Sequence, residues 1–247
     1  MESIIHTKEI FKREIKSYFE SPVAYVFLIT FLLLTGFFTF SVSRYYEAGQ
    51  ADLRFFFFWH PWVYLLLVPA ASMRLWAEER RSGTIELLLT LPVTLLQAIV
   101  GKFLAAWLFL GLALALTFPI VLTTAYLGDP DAGVIAGGYL GSLLLAGTYL
   151  AAGMLTSAAT RNQVIAFVLS LMICLFLLLA GWPPVTMMLS RWAPNWLVHG
   201  VSSISVMPHY ESIQRGVLDL RDIVYYVSVM VVMLFATHLV LENRKTA

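Results

Sequence analysis

The stretch WAEERRSGTIELLLTLPVT, Trp76–Thr94, sets a cluster of charged residues between long apolar runs of the chain. Its charged half is broken at Ser82-Gly83, and the apolar run that follows, Ile85–Leu91, is too short to cross a bilayer, which takes about 20 residues. Across the chain 60% of the residues are hydrophobic and 13% are charged, whereas about 25% are charged in a soluble domain. The composition therefore predicts a membrane protein that keeps one dense charged element.

Composition also excludes several classes of protein and site. The formal net charge of +1 gives no argument for nucleic-acid binding. Cys174 is the single cysteine, so an internal disulfide and a cluster of several thiolates are both excluded. The N-terminal region carries charges every few positions and no early apolar core, so we expect no cleaved secretory signal and a first span that acts as its own insertion signal.

Six apolar runs are long enough to be transmembrane helices. They are Val23–Val42, Phe55–Met73, Phe103–Leu127, Val134–Thr160, Asn162–Ser190 and Ile223–Leu241. The fourth run is rich in glycine, a residue that lets helices approach closely in lipid. Because no internal repeat or linker is visible, we predict a single domain, 1–247, and an all-α membrane protein with six transmembrane helices.

Basic residues predict the orientation of these spans, because Lys and Arg are more frequent in cytoplasmic loops. If both termini are cytoplasmic, eleven of the 16 basic residues lie inside: Lys8, Lys12, Arg13, Lys16, Arg74, Arg80, Arg81, Lys102, Arg161, Arg244 and Lys245. The other five lie outside: Arg44, Arg54, Arg191, Arg215 and Arg221. The turn Gly128–Gly133 has two aspartates and no basic residue, as expected of an outside turn.

Two further helices are expected outside the spans. The segment Ile4–Phe19 is expected to be an amphipathic helix that lies in the inner membrane interface. Its apolar face contains Ile4, Phe11, Ile15 and Tyr18. A short outer helix is expected around His209–Arg215, before the sixth span, with Gly216 as the residue that ends it.

Within the charged stretch, the residue types predict a helix break and a restart. Arg74 and Glu78 are spaced i, i+4, so we expect them to pair where the second span leaves the membrane. Thr84 is expected to cap a new short helix, Glu86 suits the positive end of its dipole, and Pro92 closes it. The residues alone leave two interpretations open: a helix partly buried against another surface, or a solvated turn followed by an interfacial stub.

The segment EERRSGTIELLLTLP, Glu78–Pro92, resembles the motif of ABC-2 type permeases, the membrane subunits of ATP-driven exporters. The resemblance implies a coupling helix between spans two and three that docks on a separate ATP-binding subunit. The residues that it assigns to coupling are Glu78, Glu79, Arg80, Gly83, Thr84, Glu86, Leu87, Leu88, Leu91 and Pro92. It further implies a dimer of permeases with two ATP-binding subunits, in the inner membrane of a bacterium.

Two longer stretches, His60–Thr94 and Pro208–Tyr226, resemble the gliding-motility-associated branch of this family, and a related branch serves copper-enzyme maturation. Neither stretch indicates a cargo. The competing interpretation is therefore a mechanical transmitter that uses ATP hydrolysis to act on a periplasmic or accessory partner, with no cargo crossing the membrane.

No catalytic, cofactor or metal site is expected in this chain. Its Gly-Lys pair, Gly101-Lys102, lacks the first glycine and the final Ser or Thr of a P-loop, so ATP and Mg²⁺ are expected on the partner subunit. His199, Met207 and His209 have residue types that suit copper, but their spacing matches no defined site. We also expect no charged residue deep within a span, and therefore no proton relay.

Overall fold

Helices follow one another along the computed structural model, which describes residues 2–47, 49–84 and 94–243, with side chains from residue 7 onward. The structure is 81% helical, and the described residues contain no β-strand, so the expected all-α class is confirmed. The first helices are α1 Glu2–Glu20, α2 Pro22–Phe37, α3 Arg54–Phe58, α4 His60–Ser72, α5 Ala77–Ser82, α6 Leu95–Ala115 and α7 Pro119–Leu127. They are followed by α8 Ala132–Ala159, α9 Gln163–Leu179, α10 Pro183–Leu189, α11 Asn195–Ile204, α12 Val206–Gln214 and α13 Leu220–Asn243.

Four stretches of the described chain are long and apolar enough to cross a membrane: Pro22–Val42, Leu95–Leu127, Ala132–Ala159 and Leu220–Asn243. The first joins α2 to a π-helical turn, and the second joins α6 to α7. The bent pair of α9 and α10 makes a fifth if both helices belong to one span. The chain is therefore a multi-pass membrane protein, and the expected count of six spans is not confirmed.

The third expected span begins earlier than the run of uncharged residues that predicted it. We expected a start at Phe103, whereas α6 begins at Leu95. Thr94 caps this helix: its hydroxyl accepts a hydrogen bond from the Gln97 amide, and the Gln97 side chain accepts one from the Thr94 amide. The helix therefore contains Lys102, a charge that we did not expect inside a span.

The second expected span, Phe55–Met73, is divided into two helices. α3 ends at Phe58 and α4 begins at His60, with Trp59 between them and Pro61 in the first turn of α4. Proline has no backbone N–H to donate, so it fits the first turn of a helix. α4 has 13 residues, or about 20 Å of helix, which is less than the hydrocarbon thickness of about 30 Å.

The fifth expected span, Asn162–Ser190, bends by 80° between α9 and α10. The break is at Gly181 and Trp182, just before the two prolines Pro183 and Pro184 that start α10. A residue before proline is sterically disfavoured in the helical region, and Trp182 accordingly has extended dihedrals of −69° and 131°. The break follows directly from the local sequence.

α8 is the central helix, and it packs against α4, α6, α9, α12 and α13. Gly138 lies against the ring of Phe57, and Gly153 lies against the Ser72 hydroxyl, so closely that neither position has room for a Cβ. These glycines of the fourth run let α3 and α4 approach α8, as the sequence predicts.

α1 packs along α6. Ile10 is buried against Gly101, where a Cβ would come within 2.9 Å of the isoleucine side chain. Tyr18 is also buried, and its ring stacks on that of Phe109 with 4.9 Å between the ring centroids. The buried face of α1 therefore contacts another helix of the same chain.

The expected apolar face of α1 agrees in part with this packing. Tyr18 is buried, Phe11 and Ile15 are half-buried, and the side chain of Ile4 lies outside the described residues. Ile10, which we did not include in that face, is buried more deeply than Phe11 or Ile15.

The short outer helix expected around His209–Arg215 is α12. Gly216 follows its end with a φ of +83°, in the left-handed region that favours glycine. Tyr210 of this helix donates a hydrogen bond of 2.7 Å to the carbonyl of Phe57, so α12 is held inside the bundle.

Candidate coupling site

A buried lysine joins three helices at the charged end of the bundle. The Lys102 side chain of α6 is 3% exposed, and its Nζ lies 2.9 Å from Glu14 Oε1 of α1 and 2.8 Å from Glu79 Oε1 of α5. The same ammonium group lies 5.3 Å from the ring centroid of Trp76, within the range of a cation–π contact. This ionic triad, Glu14, Lys102 and Glu79, connects the helix before the first span to the charged stretch.

The triad carries one more negative than positive charge, and a nearby arginine offsets the difference. Two carboxylates face one ammonium group, and Arg13 lies 3.3 Å from Glu14, which adds a second positive charge at the surface. The side chains of Glu14 and Glu79 are 14% and 20% exposed, so all three charges are largely removed from water. Removing one partner from such a cluster leaves an uncompensated buried charge and costs about 3–5 kcal/mol.

A serine of α8 holds the first turn of α5. Ser157 Oγ accepts hydrogen bonds of 3.0 Å from the amides of both Trp76 and Ala77, and it donates one of 2.8 Å to the Met73 carbonyl. The first amides of a helix have no partner within the helix. Because α5 has no capping side chain of its own, Ser157 supplies this cap from another helix.

The last turn of α5 is also fixed. Arg80 donates a hydrogen bond to the carbonyl of Ala158 on α8, and the Ser82 hydroxyl donates one of 2.8 Å to the carbonyl of Glu78. Gly83 ends the helix with a φ of +75°, a left-handed conformation that a residue with a Cβ adopts only with strain. The helix break expected at Ser82-Gly83 is therefore present.

Half of the coupling residues expected from the resemblance fall within residues 85–93, which lie outside the described residues. Five of the assigned coupling residues are among them: Glu86, Leu87, Leu88, Leu91 and Pro92. Their docking role stays a prediction. The structure does describe both ends of this segment, with Gly83 at the end of α5 and Thr94 at the start of α6.

The other assigned residues have different environments. Glu78 is exposed and forms no ion pair with Arg74 in the described part of the chain, although both line one cleft. Glu79 is paired with Lys102 and its side chain is only 20% exposed, so most of its charge is turned toward another helix of the same chain. The Thr84 hydroxyl lies 2.9 Å from that of Ser82, and any cap that Thr84 provides concerns residues that are not described.

No site role was predicted from the sequence for Glu14, Lys102 or Ser157. Two of them carried a signal: Lys102 directly precedes a long uncharged run, and Glu14 lies on the apolar face of α1, four residues from both Ile10 and Tyr18. A charge at each of these positions requires a partner. Ser157 carried no such signal, since serine is common in helices that pack closely.

Beside the triad is an open cleft of about 500 Å³ between α1 and α5. Its lining combines basic, acidic and hydroxyl side chains: Arg13, Glu14, Ser17, Tyr18, Ser21, Arg74, Leu75, Glu78, Glu79, Ser82, Thr84 and Lys102. The lining thus has three basic and three acidic side chains, so the cleft has no large excess of either charge.

At the opposite end of the bundle, the histidines are not gathered into a metal site. His209 Nδ1 lies 2.7 Å from Asp222 Oδ1, and its ring stacks on Tyr225 with 4.0 Å between centroids, while His199 is exposed on α11. Met207 is buried on α12. Among the described residues no group of three or more His, Cys, Asp or Glu side chains is placed to hold a metal ion. His209 and Asp222 instead tie α12 to the start of α13.

Long apolar helices around a glycine-rich centre, with one charged segment held at their end, are those of a multi-pass helical membrane protein. The chain belongs to the ABC-2 transporter family: the sequence model for "ABC-2 family transporter protein" matches residues 63–243, more than half of the chain. The match includes α5, the segment 85–93 and Lys102, whereas α1 precedes it. No curated protein matches the chain. Membership of this family implies an ATP-binding partner in general.

Proposed function

We propose that the chain is the permease subunit of an ATP-driven exporter in a bacterial inner membrane. Two copies form the translocation path, and each couples to a separate ATP-binding subunit through segment 83–94. ATP and Mg²⁺ are bound by the partner subunit, and this chain supplies no catalytic group, cofactor or metal of its own. Family membership supports the transport role, and the anchoring of the charged segment supports the coupling role.

The observation that carries the proposal is the way in which both ends of this segment are held. Glu79 fixes the first end to Lys102 of α6, and Ser157 fixes it to α8. Thr94 fixes the second end as the cap of α6. A load on the residues between these ends is therefore carried to α6 and α8 and, through Glu14, to α1. A solvated turn has no need of such anchoring.

We also propose that α3 and α4 together make the second of six membrane crossings, with both termini in the cytoplasm. The two helices run parallel to α8, from Phe57 beside Gly138 to the Met73 carbonyl bonded to Ser157. Between those two positions α8 rises about 28 Å, close to the thickness of the bilayer hydrocarbon. The bend between α9 and α10 then belongs to the fifth crossing, and the distribution of basic residues supports the orientation.

Co-purification with the ATP-binding subunit tests the coupling role. Leu87→Asp and Leu88→Asp each place a charge on the surface that the resemblance assigns to docking, and we expect loss of the partner while the permease still inserts and dimerises. Val217→Asp is the matched control, because it adds the same charge at an exposed apolar position between α12 and α13. Wild-type co-purification of both leucine variants would remove the coupling assignment.

A second candidate function is a mechanical transmitter that acts on a periplasmic or accessory partner, as the likeness to the gliding-motility-associated and copper-enzyme-maturation branches suggests. α10 and α11 bury none of their residues, and Trp192 and Trp196 are 87% and 75% exposed. Exposed apolar patches mark surfaces that meet a protein or a membrane. This candidate requires that a purified accessory protein, and no amphipathic cargo, stimulates ATP hydrolysis by the complex.

A further inference from the structure

Two cavities adjoin where α1, α2 and α4 meet. One is the charged cleft beside the triad, and the other is a pocket of about 160 Å³ between α2 and α4. The lining of the second is mostly apolar and includes Val23, Ala24, Phe27, Leu67, Ala71 and Phe109. Tyr18 and Arg74 line both cavities, so they lie at the boundary between a charged space and an apolar one.

Tyr18 and Arg74 carry hydrogen-bond donors that no other described residue accepts. Within the described residues, neither the Tyr18 hydroxyl nor the Arg74 guanidinium forms a hydrogen bond or an ion pair. Burial, and then the nearby charge of Glu14, raise the pKa of Tyr18 above its usual value. The hydroxyl therefore keeps its proton at neutral pH and remains a donor.

The charges around this boundary are of both signs, and Arg74 is the cation of the cleft lining that pairs with no carboxylate among the described residues. Glu14 and Glu79 share the ammonium group of Lys102, and Arg13 also pairs with Glu14, so both carboxylates have closer cations than Arg74. Glu78 lines the same cleft without an ion pair in the described part of the chain. The N-terminus of α2 opens on the same place, because Ser21 lines the cleft and the first residues of α2 line the pocket. The positive end of a helix dipole adds to the attraction for an anion.

We propose that this boundary binds a glycerophospholipid from the leaflet on the side of the charged cleft. Its phosphate lies between Arg74 and Tyr18, since a guanidinium group matches phosphate oxygens with two parallel donors. The first part of one acyl chain fills the apolar pocket, and the rest follows the exposed face of α2, where Val26 and Ile29 are 62% and 58% exposed. This site goes beyond the proposed function, because it requires neither export nor an ATP-binding partner.

Native mass spectrometry of the detergent-purified full chain tests the site. The probes are phosphatidylethanolamine, phosphatidylglycerol and a diacylglycerol, all with the same acyl chains. We expect both phospholipids to be retained and the diacylglycerol, which lacks the phosphate, to bind about tenfold more weakly. Arg74→Gln should lower phospholipid binding about tenfold and leave the diacylglycerol unchanged. Ala71→Leu, which fills the pocket, should weaken all three lipids alike.

Arg81→Gln is the matched control, because it removes the same charge from an exposed position of the neighbouring helix α5, outside both linings. It should bind all three lipids as the wild type does. The proposal is overturned if Arg74→Gln binds phospholipid as the wild type does, or if Arg81→Gln loses as much. If Arg74→Gln fails to fold, Tyr18→Phe tests the proposal instead, because it removes one donor and keeps the ring stacked on Phe109. It must still lower phospholipid binding and leave diacylglycerol binding unchanged.

Discussion

The ionic triad makes Lys102→Met the most informative single substitution. Methionine keeps the length of the side chain and removes the ammonium group, so Glu14 and Glu79 lose the cation that lies 2.9 and 2.8 Å from them. The full cost of breaking a buried cluster is about 3–5 kcal/mol, and the partial exposure of both carboxylates places this one near 3 kcal/mol. For a chain of this size, that corresponds to a fall in melting temperature of about 6–12 °C.

Thermal unfolding of the purified protein in a fixed detergent measures this loss. Lys16→Met is the matched control, because Lys16 pairs with Glu20 at 3.6 Å on the exposed face of α1, with side chains 78% and 66% exposed. Exposed pairs contribute about 0.2–1 kcal/mol, so the control should melt close to the wild type. Neutralising both glutamates in the Lys102→Met background should recover most of the loss, since an uncharged cluster is no longer penalised. Equal melting of Lys102→Met and Lys16→Met would refute the reasoning.

Three further predictions concern the segment and the helices that hold it. Ser157→Ala removes the partner of two amides and one carbonyl, and it should lower the free energy of unfolding by about 2 kcal/mol or more. The control Ser203→Ala, at an exposed position, should change it very little, and equal melting temperatures of the two variants would contradict the cap. Gly83→Val forces a branched side chain to a φ of +75°, which costs about 1–3 kcal/mol, and it should lower ATP hydrolysis by the complex. Gly200→Val, within α11 and with open space around it, should leave the rate unchanged, and full activity of Gly83→Val would argue against a role for the turn. Phe11→Asp with Ile15→Asp should reduce the yield of inserted protein, because each half-buried side chain contributes about 1 kcal/mol of burial; unchanged yield means that this face of α1 is solvated.

The fold class was predictable because composition and run length are strong signals in a membrane protein. Long runs without charge predicted α2, α8 and α13 closely. The start of α6 could not be predicted from runs without charge, because such a run ends at any charged residue. Lys102 is tolerated inside α6 because Glu14 and Glu79 come from distant parts of the chain, and a linear pattern does not contain that information.

The breaks in the helices show a second limit. Pro61, Pro183 and Pro184 were visible in the sequence, and proline favours helix starts and breaks. Run length counts only apolar residues, so it treated both broken segments as continuous spans. α10 turns 80° from α9. Its direction depends on what each helix packs against, so it could not be predicted from the sequence.

The inward position of Glu79 changes what the charged stretch can do. Four consecutive charges are typical of a surface that a partner protein contacts. In this chain Glu79 is paired with Lys102 and Arg80 is bonded to the carbonyl of Ala158, whereas Glu78 is exposed. A buried ionic cluster adds little net stability compared with apolar packing, but breaking it is costly, and so it fixes geometry more than it raises stability. On the proposed function, a displacement of segment 83–94 therefore moves α5, α6 and α1 together, because separating them costs more than moving them as one body. On the same proposal, the apolar residues of the segment contact the partner, and the charges before them hold the helices that must move.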